Sequence, residues 1–251
     1  MQASLSLMSY CGPPPIPDNL LGRWNFDPVL IAITVLFTCA YLVLSPGTAR
    51  NRTAFFAGIA VLAIIFISPL CALTVALFSA RVVHHVLLVA VAAPLLAWSL
   101  IGVIRPAHAS LLTRLLTPLL LFHTVIFWLW HAPDAYALAL TSTAAYWAMQ
   151  ITLLGSAMLF WGAVLLASPA RAIAALIAIT VQMGLLGALL VFSGDPLYWP
   201  HFTTTQAFGF DAQTDQQLAG LIMWVPASLP YLVVSVLRLS VWLKQSEVRR
   251  A

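Results

Sequence analysis

The sequence predicts an all-α, polytopic membrane protein of seven transmembrane helices, with the amino terminus outside and the carboxyl terminus in the cytoplasm. Hydrophobic residues make up 62% of the 251 positions and charged residues only 7%, whereas a soluble domain carries roughly a quarter charged residues. Long apolar segments recur along the whole chain, and basic residues gather at alternate ends of these segments. These three observations predict the fold class.

The apolar segments have the length that a membrane requires. A spanning helix needs about twenty mainly apolar residues, and seven segments meet this requirement: 28–46, 54–73, 84–104, 115–131, 144–167, 172–193 and 219–242. Helices are favoured over barrel strands because the runs are too long and too uniformly apolar for strands. The predicted organisation is therefore an external arm (1–27), a seven-helix membrane domain (28–243) and a cytoplasmic tail (244–251).

The placement of the basic residues predicts the orientation. Lys and Arg near the ends of spans stay on the cytoplasmic side. Most cations near span ends share one side of the predicted spans, which is therefore the cytoplasmic side: Arg50, Arg52, Arg105, Arg114, Arg171, Lys244, Arg249 and Arg250. Only Arg23 and Arg81 fall on the opposite, outer side, together with most of the acids. The net charge of +4 reflects this asymmetry. No basic cluster accompanies it, so a nucleic-acid partner is not expected.

Histidines at the outer ends of two predicted spans form a candidate metal site. His84 and His85 open the third span, and His131 closes the fourth. Two helices joined by a short connection are usually antiparallel neighbours, so we expect His85 and His131 to lie near one another. Imidazole is a good ligand for copper and zinc. The alternative is that these histidines bond loop carbonyls or lipid headgroups.

The cysteines offer a further candidate ligand. The chain has three, Cys11, Cys39 and Cys71, and such an odd, sparse set argues against a disulfide framework. Cys11 precedes the proline-stiffened stretch "GPPPIP" on the external arm, from which it could reach the histidines. Because a thiolate favours Cu(I), we expect Cys11 to be the third copper ligand, unless it is simply a free thiol.

The other histidines are expected to have structural or solvated roles. His123 lies inside the fourth span, where an ionisable side chain is either functional or bonded to a neighbouring helix; we favour packing. His108 and His201 fall in connections and are expected to be solvated, so that replacing His201 should have little effect.

Two charged residues near the outer side also need partners. Arg81 is expected to pair with an outer acid such as Asp134 or Asp215. Asp215 lies at the start of the last span and is expected to cap that helix. No phosphate loop, dinucleotide fingerprint, nucleophile elbow or paired carboxylate within a span is present, so an enzyme is not expected.

Three stretches together resemble a known family: "LFSARVVHHVLLVAVAAPLL", "WHAPDAYALAL" followed by "MLFWG", and "DQQLAGLIMWVPASLPYL". They are similar to the seven-span CtaG proteins, cytochrome c oxidase assembly factors of the bacterial cytoplasmic membrane from the caa-type oxidase branch. The resemblance runs from "RWNFDP" to the last span. It implies seven helices with an outside start.

The resemblance also carries over individual positions. His85 and His131 match outer-side histidines of the family. Arg81 stands where the family motif "SxHMxQH" has its first histidine, and His84 stands where it has glutamine. Tyr146 and Gln150 replace a pair of histidines at the start of the fifth span.

The expected function is that of a non-enzymatic assembly factor for a bacterial haem-copper cytochrome c oxidase. The resemblance implies oxidase subunits within the inner membrane as partners, and copper handling at the outer face through His85 and His131. The residues themselves add Cys11 and His84 as further candidate copper ligands. Two alternatives stay open at this point. One is a stable accessory subunit of the oxidase, and the other is a small copper or haem transporter with His123 on its path.

Overall fold

Every regular element in the described residues of the computed structural model, 9–44, 48–104 and 106–248, is helical. The α-helices in these residues are α1 Pro17–Leu20, α2 Pro28–Leu44, α3 Ala49–Ile67, α4 Pro69–Ala76, α5 Phe78–Val86, α6 Ala93–Leu100, α7 Pro106–Arg114, α8 Leu116–His131, α9 Pro133–Thr141, α10 Thr143–Leu166, α11 Pro169–Phe192, α12 Ala212–Trp224 and α13 Leu229–Val248. The predicted all-α class is confirmed.

The helices support a multi-pass membrane protein. Five helical segments of the described chain are long and apolar enough to cross a bilayer: Ala49–Ile67, Phe78–Val103, Thr143–Leu166, Pro169–Phe192 and Ala212–Lys244. A sixth follows if α7 and α8, which are bent by 66° relative to each other, form one span, and α2 is a shorter apolar helix of 17 residues. The count of seven and the orientation stay predictions, and Arg105, Arg249 and Arg250 lie outside the described residues.

Pro94 interrupts the backbone hydrogen bonding of the span that contains α5 and α6, and a side chain from another helix supplies the missing donor. A π-helical segment, Leu87–Ala92, joins α5 to α6 immediately before Pro94. In a π-helix each amide bonds the carbonyl five residues earlier, but Pro94 has no N–H to offer Val89. The indole N–H of Trp161 on α10 donates to the Val89 carbonyl instead, at 2.9 Å. The π-helical segment before Pro94 is therefore tied to the neighbouring helix.

Helix α10 forms the centre of the bundle. It packs against α6, α7, α8 and α9, while α11 packs against α12 and α13, and α5 packs against α4 and α12. Tyr41 is the buried residue of α2, and its ring stacks on Phe55 of α3 with centroids 3.8 Å apart. The histidine-bearing helices α5 and α8 thus lie close to the centre, whereas α2 lies at the periphery.

Two glycines allow α11 and α12 to approach closely. A Cβ atom added to Gly187 would lie 2.8 Å from the carbonyl oxygen of Gly220, and one added to Gly220 would lie 2.6 Å from that of Gly187. Both contacts are with backbone atoms, which cannot move aside as a flexible side chain can. Small residues commonly permit such contacts between membrane helices.

We expect Gly220→Ala to lower the free energy of unfolding by about 1–3 kcal/mol, because the two backbones must separate to admit the methyl group. Gly155→Ala in α10 is the matched control, since a Cβ there meets nothing within 4 Å and alanine favours helix. Thermal unfolding of the purified protein in detergent measures both. Equal stability of the two variants would contradict the close contact.

Candidate functional site

The start of α5 is held by a buried carboxylate from another helix. Asp215, on α12, is 0% exposed. Its Oδ2 accepts the amide N–H of Phe78 at 2.6 Å, and its Oδ1 accepts the amide of Ser79 at 3.3 Å together with the Ser79 hydroxyl. Amides in the first turn of a helix have no partner within the helix, and negative charge is favourable there. Asp215 therefore fixes α5, which carries Arg81, His84 and His85.

The prediction that Asp215 caps its own helix is wrong. Asp211 is the N-cap of α12, and its Oδ1 accepts the amide N–H of Thr214 at 2.7 Å. Asp215 lies one turn later, on the side of α12 that packs against α5. It caps a helix start that is more than 130 residues away along the chain.

Five side chains form a buried group that we call the outer cluster, after the side of the membrane that the charge pattern predicts for it: Arg81, His84, His85, His131 and Tyr146. Each is at most 3% exposed. The ring centroids of His85 and His131 are 5.4 Å apart, and those of His84 and His85 are 5.8 Å apart. The arrangement of α5 and α8 thus brings together the three histidines that the sequence singles out.

The hydrogen bonds of His131 leave one nitrogen free to act as a ligand. Its Nδ1–H donates to the Phe127 carbonyl at 2.7 Å, so Nε2 carries the lone pair, and this nitrogen has no hydrogen-bond partner. Neither ring nitrogen of His84 or His85 makes a hydrogen bond of good geometry, although the Ile65 backbone lies near His84. Unpartnered imidazole nitrogens of neutral histidines are suitable metal ligands.

The His85–His131 pair fits a shared ion. Two metal–nitrogen bonds of about 2 Å, with about 1 Å from each nitrogen to its ring centre, separate two ring centres by at most about 6 Å. The observed 5.4 Å lies within this limit. No group of three His, Cys, Asp or Glu side chains with metal-binding geometry occurs in the part of the chain that the structure describes. The pair therefore suits an ion that accepts few protein ligands.

Cys11 is bonded to Cys71 in a disulfide, with the two Cα atoms 5.4 Å apart. The prediction that the cysteines form no disulfide is wrong, because the external arm folds back onto the start of α4 and brings the two residues within bonding range. While this bond is intact, Cys11 offers no thiolate to a metal. Cys39 is free and exposed.

The external arm covers one side of the outer cluster. The ring of Tyr10 lies 4.9 Å from both the Tyr146 ring and the Trp147 ring, and its hydroxyl donates to Asp27 at 2.7 Å. Burial, and to a lesser degree Asp27, raises the pKa of Tyr10, whereas the Tyr10 hydroxyl lowers the pKa of Asp27. The Tyr146 hydroxyl points toward Cys11 Sγ at 3.7 Å. The arm is thus packed against the site.

The positions that depart from the family pattern are also buried. The guanidinium carbon of Arg81 lies 5.5 Å from the centre of the Tyr146 ring. Gln150, one turn after Tyr146, is 2% exposed, and neither atom of its amide has a hydrogen-bond partner. Arg81 makes no hydrogen bond with Asp134 or Asp215, so the prediction of such a pair is wrong. Asp215 is instead engaged by the start of α5.

The outer loop between α11 and α12 is fastened to the site by His201. This residue is 1% exposed, so the prediction that it is solvated is wrong. Its Nδ1–H donates to the Ala76 carbonyl at 3.2 Å, which leaves Nε2 to accept the Tyr136 hydroxyl at 2.6 Å. Tyr198 of the same loop donates to the carbonyl of His131 at 2.6 Å. The loop lies directly over the outer cluster.

Burial has a large effect on the protonation of His201. Desolvation is the main cause that lowers the pKa of His201 to about 3; the bond to the Ala76 carbonyl partly opposes this shift, and the nearby charge of Arg81 contributes to it to a smaller degree. Burial also raises the pKa of Tyr136 and of Tyr198. At neutral pH this part of the site therefore consists of neutral hydrogen-bonded groups.

The remaining two histidines are not part of the outer cluster. His123 Nδ1 is 2.9 Å from the Ser156 hydroxyl, and its ring stacks on Phe160 with centroids 5.8 Å apart. This contact is the helix-to-helix packing that we favour for His123. His108 is exposed.

A family model described as cytochrome c oxidase caa3 assembly factor (Caa3_CtaG) matches residues 35–245. The match includes α5, α8, α10 and the outer loop, and the whole external arm lies outside it. No curated protein and no solved structure matches the chain.

The disulfide can be tested by counting thiols. We expect protein that is purified and denatured without reductant to take up one alkyl group, at Cys39, and reduced protein to take up three. In Cys71→Ser the unreduced count should rise to two, because Cys11 loses its partner. Mass spectrometry of the intact chain gives the count. Three groups on the unreduced wild type would contradict the bond.

The buried His201 predicts a pH dependence of stability. An unfolded histidine has a pKa of about 6.5. Between about pH 6.5 and pH 3, His201 therefore binds a proton in the unfolded chain but stays neutral in the folded protein. Stability is then fully present above about pH 6.5 and falls as the pH drops, by about 1.4 kcal/mol per pH unit for this group. Other buried histidines add to the same trend, so the comparison must be between variants.

We expect His201→Gln to be less stable than the wild type at pH 7.5 and to lose stability less steeply on acidification. His108→Gln, at an exposed position, should leave the slope unchanged. Thermal unfolding from pH 7.5 to 4.5 provides the measurement. A slope for His201→Gln equal to that of the wild type would show that His201 is not buried in its neutral form.

Proposed function

Because the chain belongs to the cytochrome c oxidase caa3 assembly factor family, we propose that it is a non-catalytic factor that assists assembly of a bacterial haem-copper oxidase within the cytoplasmic membrane. The match over residues 35–245 carries this proposal. The apolar helices support a site of action inside the bilayer. The partners are accordingly oxidase subunits that meet the factor in the membrane.

The proposed cargo is copper, held at the outer face by His85 and His131. Two neutral imidazoles with unpartnered nitrogens favour Cu(I), which is stable with few ligands. Cys11 is excluded while it is bonded to Cys71, and His84 lies next to the pair without completing a three-ligand set. Such a site would hold copper transiently, as delivery to an oxidase subunit requires.

A deletion strain tests the assembly role. Grown at limiting copper, it should contain less mature oxidase, with the haem absorbance of its membranes and the oxidase activity falling together, while subunit transcripts stay normal. A stable accessory subunit would instead remain in the finished oxidase at a fixed ratio, whereas an assembly factor should co-purify with immature subunits. Normal amounts of fully metallated oxidase in the deletion strain would contradict the proposal.

Metal binding is tested on the purified protein. We expect up to one Cu(I) per wild-type chain, a loss of at least tenfold in affinity for His85→Ala, and wild-type binding for His108→Ala. Competition with a Cu(I) chelator under anaerobic conditions gives the affinities. Equal binding by His85→Ala and the wild type would rule out the histidine pair without affecting the assembly role.

A further inference from the structure

Arg81 is a buried cation without a hydrogen-bond partner. It is 1% exposed, and its Nε, Nη1 and Nη2 atoms all lack an acceptor in the described residues. Arginine stays protonated in proteins, so it cannot avoid the cost of burial by losing its proton. A buried charge is tolerated when it is paired and its donors are satisfied. The position of Arg81 therefore calls for a negative charge, and no side chain of the described residues pairs with it to supply one.

The groups around Arg81 supply an aromatic face and hydrogen-bond donors. The Tyr146 ring covers one face of the guanidinium at 5.5 Å. The hydroxyls of Tyr136 and Tyr146 lie within hydrogen-bonding reach of Arg81, although neither contact is well aligned, and as neutral oxygens they leave its charge uncompensated. Tyr136 is already committed to His201. His85, one turn further along α5, carries one N–H that has no acceptor, whereas His84 is directed at the Ile65 backbone.

The nearest buried acid does not complete the site. Asp215 offsets part of the positive charge, but its oxygens accept the Phe78 amide, the Ser79 amide and the Ser79 hydroxyl. It makes no hydrogen bond to Arg81. Arg81 thus carries a buried positive charge that no carboxylate of the described residues pairs with directly, which is a setting that favours an anion.

We propose that Arg81, together with the N–H group of His85, binds one small monovalent anion of the carboxylate class. A guanidinium presents a planar fork of donors that matches the two oxygens of a carboxylate. The bound anion would neutralise Arg81 and so reduce its repulsion of a cation at His85 and His131. The anion site does not depend on copper, and it can be measured in metal-free protein.

The experiment compares the unfolding midpoint in sodium acetate with that in sodium gluconate, at equal ionic strength and pH 7.5. Gluconate is the control anion because it is too bulky for a closed site. The full chain is purified in detergent with metals removed. We expect acetate to raise the unfolding midpoint of the wild type saturably, by roughly 5–10 °C at about a hundredfold excess over its dissociation constant. Arg81→Met should lose this shift, and Arg81→Lys should keep part of it.

Arg23→Met is the matched control, because Arg23 is an outer-side arginine that bonds the Pro13 carbonyl in an exposed setting; it should keep the full shift. Equilibrium dialysis of the wild type with labelled acetate provides a second measurement, independent of any variant. One acetate per chain, displaced by formate and not by gluconate, supports the site. The proposal is overturned if acetate neither shifts the unfolding midpoint specifically nor binds in dialysis, since water alone would then hydrogen-bond Arg81. It is also overturned if Arg81→Met keeps the full shift in the unfolding midpoint.

Discussion

The contact between the Asp215 carboxylate and the start of α5 determines where the polar residues of this membrane protein lie. Both of its oxygens bond the first turn of the helix, and the same helix then presents Arg81, His84 and His85 to the interior. A carboxylate that is buried among apolar helices is stable only when its oxygens are fully engaged. The start of α5 therefore provides the partner that Asp215 needs, and Asp215 in turn fixes the register of the site.

Three further contacts close the site around this anchor. The Cys11–Cys71 disulfide holds the external arm, the Tyr136–His201 bond holds the outer loop, and Tyr198 ties that loop to the last turn of α8. Each joins segments that are at least 60 residues apart. The outer cluster is consequently enclosed by covalent and hydrogen-bonded connections, in a low-dielectric setting where unpartnered polar groups are costly.

The sequence predicts the helices well because their signals are local. The apolar runs coincide with the long apolar helices, although the number of spans stays a prediction. The proximity of His85 and His131 is also predicted correctly, although α8 packs mainly against α10 and α11 rather than against α5–α6. The disulfide, the burial of His201 and the partner of Asp215 escape such reasoning, because each depends on a residue that is distant in the chain. For His201, the flanking aromatic and proline residues in "YWPHF" are the one local sign that the loop is packed.

The central claim is that two imidazoles, without sulfur, hold copper at the outer face of this assembly factor. X-ray absorption spectroscopy of the purified protein loaded with one equivalent of Cu(I) tests it most directly, since sulfur and nitrogen ligands differ in their distance from the metal by about 0.3 Å. The account predicts a first shell of nitrogen with the distant scattering typical of imidazole and no sulfur. A sulfur ligand in the first shell, or a shell without imidazole, would contradict it.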